Sequence, residues 1–173
     1  MDYYDVAFDA CRIDGGMERS LGFKRIFAVN RDLRLTDVDD PKAKGSVEGV
    51  IIGANKRKLL AFARGGVRAA IVSDSRIDKK LMEQMADSGI VLCMPMSAIT
   101  ASAGLERTKT IYMMSSLFAH ARKSGIHVSF VTLAGSSLYL ASSAQLIELA
   151  TLVGADEQYA RYSISEINRQ LVE

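Results

Sequence analysis

The most constraining feature of this sequence is a repeated order, in which a short apolar segment is followed by a helical pattern. Six segments have the β-branched and apolar character of strands, and most are continuous runs such as Val50–Ile52, without polar alternation. Continuous apolar runs are typical of parallel sheets that are covered on both faces. The predicted strands are Tyr4–Asp9, Arg25–Val29, Val47–Gly53, Arg68–Ser73, Ile90–Met94 and His127–Leu133.

Helical patterns separate these strands. They are predicted over Asn55–Arg64, from Asp78 onward, and over Leu105–Lys123. Each helical pattern is followed by glycine just before the next strand. Glycine is common there because the backbone after a helix often adopts the left-handed conformation. These glycines are Gly65, Gly66, Gly89 and Gly125. The long pattern carries one apolar stripe, formed by Ile111, Met114, Phe118 and Ala121.

Strand–helix–strand units in succession predict right-handed βαβ connections around a parallel sheet. Six strands in 173 residues are too few for a full eight-fold barrel of about 250 residues. We expect an α/β fold, a shortened or incomplete TIM-like (β/α) barrel with parallel strands and a helical C-terminus, in a single domain over residues 1–173. An open doubly wound sheet is the alternative. The C-terminal helices are predicted over Ala144–Val153, over Asp156–Arg161 and from a capping box at Ser163–Glu166, and Arg31–Ser46 is predicted as a solvated loop.

Groups that could carry catalysis are sparse. His120 lies inside the long predicted helix and His127 at the start of a strand, so no histidine and carboxylate cluster of metal-site spacing is present. Cys11 and Cys93 stand apart, which favours buried free thiols in a reducing cytoplasm. The opening residues lack the cationic and apolar pattern of a secretory signal, and no apolar run is long enough for a membrane span. We therefore expect a cytoplasmic protein with no membrane partner.

Two glycine-containing turns are the nearest approach to phosphate-binding loops. Ile13–Gly16 and Ala134–Ser137 match neither the dinucleotide fingerprint nor the Walker pattern. An ordinary strand-to-helix turn is the favoured interpretation of both. An anion held by the amides of Gly135–Ser137 is the alternative.

Charge is distributed unevenly, although the net charge is only +2. Residues 56–124 contain 12 Lys and Arg against 5 Asp and Glu, whereas the segments on either side are acidic overall. Cations in the first turn of a helix oppose the helix dipole, so basic helix starts favour a polyanion partner. The basic residues near helix ends are Lys56, Arg57, Lys58, Arg76, Lys79, Lys80, Arg107, Lys109, Arg122 and Lys123. Few aromatics accompany them, which predicts contact with phosphates more than with bases.

An ordered series of segments runs through the middle and end of the sequence. Its members are Ala70–Ser75, Asp78–Gly89, Ile90–Leu92, Gly104–Arg107, Ala121–Gly125, His127–Val131, Ala134–Ser136, Leu140–Gly154 and Asp156–Glu157. At Gly104–Arg107 and the helix after it the sequence begins to resemble protein component 3 of archaeal and eukaryal ribonuclease P, and the resemblance covers about residues 47–160. The order of the segments carries the resemblance, and no single motif does. The chain departs from the family at Ser115 and Ser116, where paired arginines are usual, and at Leu140–Ser143.

The resemblance implies a barrel related to the polymerase/histidinol phosphatase fold, in a non-catalytic subunit that supports the catalytic RNA. Ribonuclease P removes 5′ leaders from precursor tRNA, and its RNA with bound Mg²⁺ performs the cleavage. The chain would belong to an endoribonuclease holoenzyme without contributing catalytic residues, a metal site or a cofactor. Its implied partners are the ribonuclease P RNA, a small ferredoxin-like protein subunit and other ribonuclease P proteins, with precursor tRNA contacted indirectly.

Two other functions fit the residues alone. One is a metal-independent enzyme for small molecules or phosphate esters on a TIM-like barrel, with its anion site at Gly135–Ser137. The other is a protein-interaction scaffold, in which the basic residues are only a solvated surface.

Overall fold

The computed structural model describes residues 1–8, 11, 13–29, 31–32, 34–37, 49–52, 67–72 and 78–171. The strands are β1 (Tyr4–Phe8), β2 (Arg25–Val29), β3 (Leu35–Asp37), β4 (Gly49–Ile52), β5 (Val67–Ile71), β6 (Val91–Pro95) and β7 (Val128–Val131). The α-helices are α1 (Gly15–Ser20), α2 (Lys79–Asp87), α3 (Ser97–Thr100), α4 (Gly104–Lys123), α5 (Ser143–Leu152), α6 (Glu157–Tyr162) and α7 (Asn168–Gln170). A 3₁₀ turn covers Ser137–Tyr139 and a π-helical turn covers Ser163–Ile167.

The strands form two parallel groups. Strands β3 to β7 make one sheet in chain order, and β1 pairs with β2 from Tyr4 opposite Arg25 to Phe8 opposite Val29. Parallel neighbours separated by helices are βαβ units, so the predicted α/β class with parallel strands is confirmed. No ladder within the described residues joins the two groups into a ring, and closure of the barrel stays a prediction.

The sheet is covered by a separate apolar core on each face. One core contains Leu92 and Phe130 together with side chains from α2, α4, α5 and α6. The other contains Cys93 and Val131 together with side chains from β1 and β2. Successive residues of a strand point to opposite faces, so a strand buried on both sides needs apolar residues in series. The continuous runs in the sequence therefore predicted this arrangement correctly.

The helix ends follow their local signals. Asp78 caps α2 by accepting a hydrogen bond of 3.0 Å from the Lys80 amide. Gly89 and Gly125 follow α2 and α4 with φ of +67° and +76°, where a residue with a β-carbon would be strained. The predicted stripe of α4 packs into the core through Ile111, Met114, Phe118 and Ala121.

Two predictions about irregular segments are wrong. Residues 31–46 contain strand β3, whose three residues are too few to show a strand pattern beside the acidic residues that follow. Ser163 does not start a separate helix, because the π-helical turn continues directly from α6 and the Ser163 hydroxyl binds the backbone of β7. The predicted helix Asn55–Arg64, with Gly65 and Gly66, lies outside the described residues.

Strands β1 and β7 lie side by side at a junction that we call the seam. The Leu133 amide donates to the Val6 carbonyl at 2.7 Å. The buried carboxylate of Asp5 accepts hydrogen bonds from the Thr132 amide, at 2.7 Å, and from the Thr132 hydroxyl. Side chains thus supply at the seam the bonds that a strand ladder supplies elsewhere.

The C-terminal helices complete the seam. Asn168 of α7 donates from Nδ2 to the carbonyls of Tyr4 and Phe130, each at 2.9 Å, and its Oδ1 accepts from the Ser129 hydroxyl at 2.6 Å. Asn168 is fully buried. A buried polar group left without a partner costs about 1–3 kcal/mol, so this one amide stabilises both strands.

Two hydroxyl groups serve the adjacent part of β7. Tyr159 accepts from the Val128 amide and Ser163 accepts from the Phe130 amide, both at 2.9 Å. The C-terminal helical segments, which the sequence predicted, therefore form hydrogen bonds with the backbone of the sheet.

Candidate nucleic-acid interface

Six of the ten predicted basic residues lie in the described part of the chain. Lys56, Arg57, Lys58 and Arg76 lie outside it. The described six are all exposed, and they are Lys79, Lys80, Arg107, Lys109, Arg122 and Lys123. They belong to two helices, α2 and α4, that follow the neighbouring parallel strands β5 and β6.

The connectivity divides the six into two groups. Lys79 and Lys80 begin α2, and Arg107 and Lys109 lie in the first turns of α4, so these four lie on the side of the sheet where the strands end. Arg122 ends α4 beside Lys123, at 15 residues from Arg107, which is about 22 Å at the helical rise. Arg122 and Lys123 therefore lie toward the opposite side of the sheet from the other four.

Within the described residues, the contacts of the group at the strand ends are exposed. Lys79 lies 3.3 Å from Glu83, and Lys109 lies 2.8 Å from Glu106. Arg107 donates from Nε to the Ser102 carbonyl at 2.8 Å. Exposed ion pairs contribute about 0–1 kcal/mol, so a polyanion can replace these carboxylates at little cost.

Arg122 is held differently, by an aromatic cluster. Its guanidinium carbon lies 4.2 Å from the ring centroid of Tyr159, in a cation–π contact. That ring packs against Phe118 and Phe130, and its hydroxyl binds the backbone of β7. Arg122 is therefore oriented by the core, whereas the side chain of the adjacent Lys123 has no partner within the described residues.

The buried ionisable groups are not arranged for nucleophilic chemistry. Burial raises the pKa of Cys93 to about 12, and burial and the charge of Asp5 raise the pKa of Cys11. The Cys11 thiol donates to the Ala134 carbonyl at 3.0 Å. Burial also raises the pKa of Asp5 to about 6, against the hydrogen bonds from Thr132. Both cysteines are free and buried, as predicted.

The two candidate phosphate loops use their polar groups for local capping. Asp14 accepts from the Met17 amide at 2.8 Å and so puts a carboxylate at the start of α1, where a phosphate would have to bind. Ser136 caps the 3₁₀ turn by accepting from the Leu138 amide at 3.4 Å. These contacts favour the interpretation of both segments as ordinary turns.

Within the described residues there is neither a metal site nor a membrane-spanning helix. No group of three or more His, Cys, Asp or Glu side chains lies close enough there to hold a metal ion. Nδ1 of the exposed His120 donates a hydrogen bond of 2.7 Å to the Ser116 carbonyl. None of the helices in this part of the chain has the length and apolar character needed to cross a bilayer.

An apolar groove between the 3₁₀ turn and α5 was missed in the sequence. It has a volume of about 480 Å³, and its lining includes Leu138, Tyr139, Leu140, Leu149 and Leu152. The signal was Leu138–Leu140, an apolar run in a short connection where polar turn residues are usual. Its exposure could not be inferred from that pattern.

The chain is a parallel α/β protein with exposed cations at the starts of two helices. Comparisons with known proteins add information about its fold. No protein-family model matches this chain, and no curated protein matches it. A chain in the cryo-EM structure of archaeal ribonuclease P with mature tRNA matches with a TM-score of 0.62 and 14% identity. That match covers 98% of this chain and 79% of the other.

Solved structures of a dipeptidase and of an ochratoxinase match over a smaller part of this chain. A Xaa-Pro dipeptidase with bound methionine in the active site matches with a TM-score of 0.55 and 16% identity, over 71% of this chain and 33% of that chain. The ochratoxinase of A. niger has a TM-score of 0.50 and 16% identity, over 71% and 30%. The chain thus spans a third or less of the dipeptidase and the ochratoxinase. At these identities every match shows the fold alone.

Proposed function

We propose that this chain is a protein subunit of ribonuclease P, the counterpart of its protein component 3. In this role it supports the catalytic RNA in removing 5′ leaders from precursor tRNA, in the cytoplasm. The RNA and its Mg²⁺ perform the cleavage, and the chain provides no catalytic group. Its protein partners include a small ferredoxin-like subunit and other ribonuclease P proteins.

The extent of the ribonuclease P match carries the proposal. Nearly all of this chain, 98%, aligns with most of a chain in that complex. The dipeptidase match leaves two thirds of the dipeptidase without a counterpart here. The ordered series of segments between residues 47 and 160 supports the same assignment independently of the structure.

The proposed contribution of the chain is electrostatic. RNA helices repel one another through their phosphates, and cations at fixed positions on a folded protein reduce that repulsion. The proposed contacts are Lys56, Arg57, Lys58, Arg76, Lys79, Lys80, Arg107, Lys109, Arg122 and Lys123. The two ends of α4 would contact phosphates about 22 Å apart, so the helix would brace two separate stretches of RNA backbone.

Reconstituted cleavage of precursor tRNA tests the proposal. Ribonuclease P RNA and the other protein subunits are assembled with and without this chain at limiting Mg²⁺, and the cleavage rate is measured. We expect the chain to raise the rate, because it supplies charge that Mg²⁺ otherwise has to supply. An equal rate with and without the chain would contradict the proposal.

A matched pair of variants makes the test specific. The single change Lys80→Ala removes one proposed phosphate contact and is expected to lower the rate. Lys24→Ala removes an exposed cation that pairs with Asp2 at 2.8 Å and is not proposed to contact RNA. Equal losses in both variants would indicate a nonspecific charge effect.

A further inference from the structure

A series of aromatic rings leads from the core to the solvent at the end of α6. The Tyr159 ring packs against Phe118 and Phe130, with centroid distances of 5.8 and 6.4 Å. The Tyr162 ring lies 6.3 Å from the Tyr159 ring, and Tyr162 is 39% exposed. The series therefore ends in an aromatic side chain that a partner can reach.

Two hydroxyl groups tie the segment that carries Tyr162 to β7. Tyr159 accepts from the Val128 amide at 2.9 Å, and Ser163 donates to the Val128 carbonyl at 3.0 Å. A contact with a group that is already held in place costs less conformational entropy than a contact that has to order it. Tyr162 is therefore presented to solvent from a fixed backbone.

Basic side chains lie beside this aromatic series. The guanidinium carbon of Arg122 lies 4.2 Å from the ring centroid of Tyr159, so Arg122 and Tyr162 contact the same ring. Lys123 is exposed, and so is His127, the residue before β7. The surface therefore combines an exposed aromatic ring with cations that a polyanion can reach.

The carboxylates of the same helical segment are already engaged. Glu157 pairs with Arg161 at 2.7 Å, and Glu166 pairs with Arg169 at 3.0 Å. Asp156 caps α6 by accepting from a backbone amide at 2.8 Å. These contacts reduce the repulsion that an approaching phosphate would meet.

We propose that an unpaired base of the RNA stacks on Tyr162, while Arg122 and Lys123 contact the adjoining phosphates. Proteins recognise RNA mainly at unpaired bases, which stack on aromatic side chains, and every base has a π face that such a ring can accept. The inference rests on the proposed role in ribonuclease P and adds a base contact to the phosphate contacts of that role. An exposed tyrosine also suits a protein partner, but the adjacent cations favour the polyanion.

The affinity for ribonuclease P RNA over a range of salt tests the base contact. Tyr162→Ala is expected to lower the affinity by about 10-fold at every salt concentration, because stacking on one ring is lost. The slope of log affinity against log salt is expected to stay constant, because no phosphate contact is removed. Tyr139→Ala is the matched control and is expected to bind as the wild type does, since Tyr139 is 40% exposed and lies in the groove beside α5.

A fluorescence measurement tests the stacking without removing the ring. The chain contains no tryptophan, so Tyr162→Trp introduces a single indole fluorophore. We expect ribonuclease P RNA to quench its emission, because a stacked base quenches an indole. Inorganic polyphosphate, which carries phosphates and no bases, is expected to bind the cations without this quenching. Tyr139→Trp is the control and is expected to keep its emission with both ligands.

The outcomes separate this inference from the proposed function. Wild-type RNA affinity in Tyr162→Ala would overturn the base contact, and so would a Tyr162→Trp emission that polyphosphate quenches as strongly as RNA does. A Tyr162→Ala chain that binds RNA normally and loses affinity for the ferredoxin-like subunit would make this surface a protein contact and overturn the inference too. In these cases a salt-dependent affinity of the wild type for the RNA would still support the proposed function. A wild type that does not bind the RNA would contradict both.

Discussion

Two groups of polar side chains in this molecule have opposite environments. The described cations of α2 and α4 are exposed, and two of them, Lys79 and Lys109, make surface ion pairs of little energetic value. The polar residues of the seam, among them Asp5, Ser129 and Asn168, are fully buried and hydrogen-bonded. The first group is free to bind a partner, whereas the second is committed to joining β1 to β7.

Because of this difference, we expect that RNA binding and folding stability can be changed independently in this chain. Changes at the seam should lower the free energy of unfolding strongly. Changes at the exposed cations should leave it nearly constant while lowering the affinity for RNA. The predictions below test this separation, from the largest expected effect on stability to the smallest.

Asn168→Ala is expected to have the largest effect. It leaves the buried carbonyls of Tyr4 and Phe130 without this donor, and it removes the acceptor for Ser129. We expect the free energy of unfolding to fall by about 2–4 kcal/mol in urea denaturation. Gln170→Ala changes an exposed amide two residues further on and should cost less than about 0.5 kcal/mol. Equal costs in the two variants would contradict the role of the seam.

Asp5→Asn tests the seam through pH. The folded pKa of about 6 lies above the ordinary 3.8, so the folded state binds more protons and the free energy of unfolding falls as pH rises between these values. The loss attributable to Asp5 is about 3 kcal/mol and is complete above pH 6. Asparagine can still accept from the Thr132 amide without ionising. The stability difference between wild type and variant should therefore change between pH 4 and pH 6.5, and a constant difference would contradict this account.

Tyr159 contacts both β7 and the cation Arg122, so Tyr159→Phe tests whether stability and RNA binding can be changed separately. The change removes the hydroxyl that accepts from the Val128 amide and keeps the ring beneath Arg122. We expect a loss of about 1–2 kcal/mol in stability with RNA affinity unchanged. Arg122→Ala should give the reverse, a fall in RNA affinity with a smaller loss of stability. Equal changes in stability and in RNA affinity for Tyr159→Phe and Arg122→Ala would contradict the separation of stability from binding.

The difference between the two groups also explains what the sequence could predict. Helix ends at Asp78, Gly89 and Gly125 depend on neighbours in the chain, and they were predicted correctly. The seam joins Asp5 to Thr132, 127 positions away, and no local pattern encodes such a contact. Strand β3 is stabilised by pairing with β4 more than by its own three residues, so it was missed.

Some features of the candidate site also follow from local sequence, and others are visible only in the structure. The helix positions of Lys79, Lys80, Arg107 and Lys109 follow from local patterns, and the structure agrees with them. The packing of Arg122 on Tyr159 joins two helices that are distant in the chain, and only the structure shows it. The groove beside α5 depends on which leucines stay uncovered, and that depends on the whole fold.

Lys80→Ala and Arg107→Ala are expected to have the smallest effect on stability. Both side chains are exposed, and surface changes of this kind stay within about 0.5 kcal/mol. Thermal unfolding of each variant should match the wild type within that limit. A larger loss would show that these cations contribute to the fold and are not free for a partner.

The affinity for ribonuclease P RNA as a function of salt tests the central claim most directly. The wild type is compared with the triple variant in which Arg107, Arg122 and Lys123 are alanine. Each lost phosphate contact lowers the slope of log affinity against log salt by about 0.7–0.9, so the account predicts a slope that is smaller by about 2–3 with folding intact. An unchanged slope, or a wild type whose affinity does not respond to salt, would contradict it.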